Sequence, residues 1–200
     1  MLFRSLTSFA APKITQSKHV FKELNKEQSH IIVGYQGLTL ADQDRYALEI
    51  IQSILSGQGG RLFVELRDKN SLAYSVSPMH MEGIECGYVG GYIGCSPEKA
   101  EKAVHMLKVE FQKLIDTKVG EEELTRAQRY LIGRHDIELQ RKSTICNAIL
   151  FDDIYGLDYR ESLDVADKYF MVTPDDVQRV AEKLFSQPSI TSLVGPRDIA

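Results

Sequence analysis

The chain has 200 residues, with 24 Lys and Arg against 28 Asp and Glu, and the resulting net charge of −4 excludes the basic footprint of a nucleic-acid binder. Its 43% hydrophobic and 26% charged residues are those of an ordinary globular protein, long enough to bury a core of its own. No apolar run approaches the ~18 residues of a membrane-spanning helix. Three cysteines (Cys86, Cys95, Cys146) without C-x-x-C spacing read as small buried apolar residues rather than as ligands or a disulfide set.

Residues 1–17 read as a linker or domain-start segment. Arg4, several hydroxyls and the lack of acids up to Pro12 are shared with organelle transit peptides, but one arginine is thin support for that. Short strands are expected at 18–23 and 29–36; in the second, Ile31, Val33 and Tyr35 alternate with His30, Ile32 and Gly34. His30 reads as a hydrogen-bonded edge residue. From Ala41 the period lengthens, and Ala47, Ile50, Ile51, Ile54 and Leu55 make a helical stripe behind Asp42 and Asp44. Gly57-Gln58-Gly59-Gly60 ends it; no Lys-Ser or Lys-Thr follows, so a phosphate loop is a poor reading of these glycines.

A short helical pattern with Leu62, Phe63 and Leu66 on one side then runs into turn chemistry at Asp68 to Ser71. A strand is expected over 71–81, with Leu72, Tyr74 and Val76 on one face, and it turns at Glu82-Gly83 into a second strand over 85–95. Gly87, Gly90, Gly91 and Gly94 mark that second strand as a place where a backbone or helix comes close. Ser96-Pro97 opens a helix with Ala100, Ala103, Val104, Leu107, Phe111, Leu114 and Ile115 as its buried stripe. Helices are expected from Glu121 to about Gln140, over 142–155 and over 159–170. Thr173, Pro174 and Asp176 make a capping-box start for a last helix, with Val172 and Val177 as its hydrophobic staple, before a strand at 190–194. This order predicts an α+β fold: a mostly antiparallel sheet with helices packed over one face.

The segment 59–76 carries the chemistry. Arg67, an always-charged fork of donors, ends the short helix, and Tyr74, a phenolic O–H, stands just inside the strand. Gly-Gly-Arg-Leu-Phe-x-Glu-Leu-Arg-x-Lys-x-x-Leu-Ala-Tyr-x-Val resembles the signature of the C-terminal, zinc-free half of the pitrilysin/insulinase family of zinc metallopeptidases, which includes the mitochondrial processing peptidases and their bacterial relatives. The resemblance extends over residues 19–196. It implies the same α+β layout, with 18–200 as a pitrilysin-like inactive domain and a proline-containing linker before it.

In that family an H-x-x-E-H motif holds the zinc and activates its water. Here the five histidines, His19, His30, His80, His105 and His135, supply no such pair. His135-Asp136-Ile137-Glu138-Leu139 comes nearest and has leucine at the second histidine, so His135 reads as a helix-surface residue. Metal ligands are therefore not expected in this chain, and the resemblance places the zinc cofactor in a partner, the homologous N-terminal half. It implies that the two halves, on one polypeptide or two, close around an extended peptide substrate, with Arg67 and Tyr74 reaching toward it near the zinc. The chain alone is expected to be an inactive part of a metalloendopeptidase. The alternative is a proteolytically dead relative with a structural or assembly role. A homodimer is compatible with the sequence; a nucleic-acid partner and a membrane span are not expected. A soluble, cytoplasmic setting is favoured, with periplasmic or mitochondrial ones open.

Overall fold

The computed structural model describes residues 10–199. The linker reading of 1–17 therefore falls mostly on residues outside the described ones. Five strands, β1 (Lys18–Glu23), β2 (Ser29–Gly37), β3 (Ser75–Met81), β4 (Gly87–Cys95) and β5 (Ile190–Gly195), make one sheet in the order β1-β5-β2-β4-β3. Only the β1–β5 pairing is parallel. β3 and β4 form the expected antiparallel hairpin, and β3 is an edge strand, the position in a sheet where a proline such as Pro78 is tolerated. β2 is central, so His30 is not at an edge; it faces out of the sheet, with Nδ1 2.8 Å from the Tyr92 hydroxyl.

Alternation on β2 decides which face is covered. Ile31, Val33 and Tyr35 are buried, while His30 and Ile32 are exposed. Over the buried face lie α1 (Arg45–Leu55), α2 (Ala100–Asp116), α3 (Glu121–Glu138), α5 (Val165–Met171) and α6 (Pro174–Phe185), with α4 (Lys142–Ile154) between α3 and α5 in the chain. α2 packs against β4 and β2, and Gly91 makes this close approach workable. A Cβ there would come within 2.8 Å of the Leu107 side chain. The expected stripe of α2 is buried throughout, apart from a half-buried Ile115. At its centre Phe111 stacks on Phe185 of α6 at 4.4 Å between centroids, with Tyr35 edge-on to both.

α6 begins as its residues dictate. The Thr173 hydroxyl accepts the Asp176 N–H at 3.2 Å, the Asp176 carboxylate accepts the Thr173 N–H at 3.1 Å, and Val172 and Val177 are both buried beside them. Thr173→Ala removes one half of this box and is expected to cost about 1 kcal/mol. For a domain of this size that is a fall of about 2–4 °C in Tm, which thermal unfolding followed by circular dichroism measures.

Two helices and the cysteines differ from expectation. α1 starts at Arg45 rather than near Ala41, because the Asp42 carboxylate bonds the Asp44 N–H at 2.9 Å and holds the preceding residues in a turn. The helix expected over 159–170 begins only at Val165. The Asp158 carboxylate takes both the N–H and the guanidinium of Arg160, and that local bonding competes with helix. Of the cysteines only Cys95 is buried; Cys86 and Cys146 are exposed, and all three are free.

Candidate functional site

Arg61 anchors the segment, its guanidinium forked onto Glu123 of α3 at 2.6 and 2.9 Å. Gly60 is required just before it, since any Cβ there would lie 2.1 Å from the Ser56 carbonyl. Residues Phe63–Lys69 then wind as a π-helix, a rare form that recurs at functional sites. Leu66 is its buried anchor; Arg67 is exposed, its guanidinium 5.0 Å from the centre of the Phe63 ring. Among the described residues no carboxylate pairs with it. Its charge is held by an aromatic face and remains available to an acceptor.

The turn after the helix is locked by several backbone groups. Ser71 adopts φ 49°, an uncommon conformation for a residue with a Cβ, and its carbonyl accepts the Lys99 ammonium at 2.9 Å. The Leu66 carbonyl accepts the N–H of both Leu72 (2.7 Å) and Ala73 (3.3 Å). This has two consequences. Leu72 and Ala73 are both buried and belong to no strand, so the expected alternation from Leu72 does not hold and Tyr74 stands one residue before β3. The Ala73 bond joins the residue preceding Arg67 to the residue preceding Tyr74, so the two segments run side by side there. Tyr74 donates its own N–H to the Gly94 carbonyl at 2.8 Å, and its side chain is 57% exposed. The arrangement is thus one exposed cation and one exposed phenol at the end of a sheet. Exposed Ser75, Ser77 and Met81 of β3 and Tyr88 of β4 continue away from it.

A second group of charges lies under the β3–β4 turn and was not legible beforehand, because its members come from separated segments. Leu40, Arg45, Tyr46, Glu49, Glu82 and Glu161 contribute to a cleft of about 260 Å³. Arg45 pairs with Glu161 at 3.1 Å, and the Tyr169 hydroxyl bonds Glu49. Burial raises the carboxyls of Glu49 and Glu82 above the ordinary range and lowers the imidazole of His80, which lies 3.7 Å from Glu82. His135 is half-buried rather than on the surface, and its Nε2 is shut off from solvent with no hydrogen-bond partner. Among the described residues no group of three or more His, Cys, Asp or Glu side chains is arranged to hold a metal ion.

A family profile described as "Peptidase M16 inactive domain" matches residues 6–131, more than half of the chain. The chain belongs to the peptidase M16 inactive-domain family.

Its relatives agree with the M16 assignment. An uncharacterized zinc protease of Streptomyces coelicolor is 30% identical over 171 residues, covering 85% of this chain and 37% of its own. The alpha subunit of the mitochondrial-processing peptidase of Caenorhabditis elegans is 26% identical over 185 residues, covering 86% and 35%. The crystal structure of a peptidase M16 inactive domain from Pseudomonas fluorescens shares the fold, with a TM-score of 0.88 at 20% identity over 96% of this chain and 46% of that one. The chain therefore spans half or less of the length of these relatives. Among the described residues, donors for the zinc that the relatives' names imply are not brought together. α1 has no histidine, and His19 and His30 are engaged separately by Asp198 and Tyr92. Among the described residues no helix is long and apolar enough to cross a membrane.

Proposed function

We propose that residues 18–200 form the non-metal half of a zinc metalloendopeptidase. The partner is the homologous zinc-bearing half, and the substrate is an extended peptide. The observation that carries this reading is the paired exposure of Arg67 and Tyr74 on a rigid turn, with no carboxylate holding the guanidinium. Cleavage of a peptide bond develops negative charge on the carbonyl oxygen, and preorganised donors aimed at that charge lower the barrier. Tyr74 offers one O–H for this, and Arg67 can fork onto a neighbouring substrate carbonyl. A purely structural relative has no use for two exposed donors fixed in this way, which favours the peptidase reading over the assembly-subunit one.

The test is made on the purified chain alone. After dialysis it is expected to retain no stoichiometric zinc by metal analysis and to leave an unstructured peptide uncut. One tightly held zinc per chain, or chelator-sensitive cleavage by the chain on its own, would overturn the division of labour.

A further inference from the structure

α4 does not behave like the other long helices. Ile145, Ala148, Ile149, Leu150, Phe151 and Ile154 fall around most of its circumference at 100° per residue, and no charged residue lies between Lys142 and Asp152. Large apolar side chains on every side of a helix, even with Ser143, Thr144 and Asn147 among them, call for cover on more than one face. Yet of its 13 residues only Asp152 is buried within this chain, and that residue is polar. Leu150, Phe151 and Ile154 are 52%, 48% and 60% exposed, and Tyr155 just beyond the helix stacks on Phe151 while also exposed.

This surface is nonetheless held in place. The Asp152 carboxylate accepts the Ser162 N–H at 3.0 Å and the Ser162 hydroxyl at 2.8 Å, pinning the end of α4 to the segment that leads into α5. A fixed helix roughly 20 Å long, uncharged across its middle and with exposed Leu150, Phe151 and Ile154, has the make-up of an interface core rather than of a solvated face. We propose that α4 is a docking surface for the zinc-bearing half, received in an apolar, uncharged groove of that half. This deepens the proposed function and rests on it. The occupant follows from length: the aligned relatives carry at least as much chain again beyond the part matched here. Material of domain size is thus available in the family to cover α4, on the same polypeptide or on another.

Cys146 is an exposed free thiol on α4 and serves as a built-in reporter. The experiment is iodoacetamide labelling of Cys146, read by mass spectrometry, on the isolated chain and on the protein purified from its source with whatever half accompanies it. Docking on α4 is expected to slow the labelling by at least about tenfold, since thiol reactivity follows access. Leu150→Asp, at an exposed position, is expected to leave the melting of the isolated chain unchanged and to weaken assembly by about tenfold or more. A zinc-bearing partner that leaves Cys146 as reactive as in the isolated chain would overturn the α4 assignment while sparing the proposed function. Protection by a second copy of this chain would overturn the choice of occupant. The absence of any partner would sink both readings.

Discussion

Tyr74→Phe is expected to lower kcat of the assembled peptidase by about a hundredfold to a thousandfold, the cost of removing one donor from the developing negative charge. The substitution deletes a single oxygen from a side chain that is 57% exposed, and the backbone anchor, Tyr74 N–H to Gly94 carbonyl, is untouched. Folding and metal content should therefore be those of the wild type. Arg67→Ala should lower kcat and raise KM together, because a forked guanidinium binds the ground state as well. Its cost to stability is bounded by the contact it makes. An exposed cation over the Phe63 ring is worth about 0.5–1 kcal/mol. If the two residues only brace the turn, the outcomes invert: melting temperatures fall and specific activity survives. Kinetics and melting on the same preparations separate the two, and near-wild-type kcat for Tyr74→Phe would remove that residue from the transition state.

Phe111→Ala is expected to have the largest effect on stability, about 3–5 kcal/mol. Phe111 is 1% exposed and lies between the stacked Phe185 ring, the edge of Tyr35 and the glycine-lined floor of β4 at Gly91. These neighbours belong to α6, β2 and β4, each fixed by its own pairing, so the cavity cannot collapse easily. Against a total stability of about 5–15 kcal/mol this is a large fraction, and denaturant unfolding should show a midpoint shift with an unchanged slope. A loss below about 1 kcal/mol would mean that the ring is not wedged between sheet and helices as described.

Much of this architecture was legible because local and global preferences agree. The stripe of α2, the capping box of α6 and the glycines of β4 each state a contact that the fold then makes. Arg67 and Tyr74 were named beforehand; the structure shows both exposed and links the residues that precede them, by a device the sequence did not state. The Leu66 carbonyl captures two N–H groups that a strand would have used, and no residue pattern announces that choice. The segment around Asp158 misled for a related reason: its carboxylate offered the backbone an alternative to helix. The cleft of Glu49, Glu82 and Glu161 depends on residues more than a hundred positions apart, and short-range spacing is silent about such meetings. The apolar girdle of α4 was present in the sequence, but only its exposure in the fold gives it a meaning.

In the proposed assembly this chain supplies donors and substrate contacts while the metal resides elsewhere. The most direct measurement is a titration of the chain into a fixed amount of the zinc-bearing half, recording peptide cleavage and total bound zinc at each step. Activity is predicted to rise and saturate at one equivalent while bound zinc stays constant. Activity indifferent to the added chain, or zinc that rises in step with it, would contradict the account.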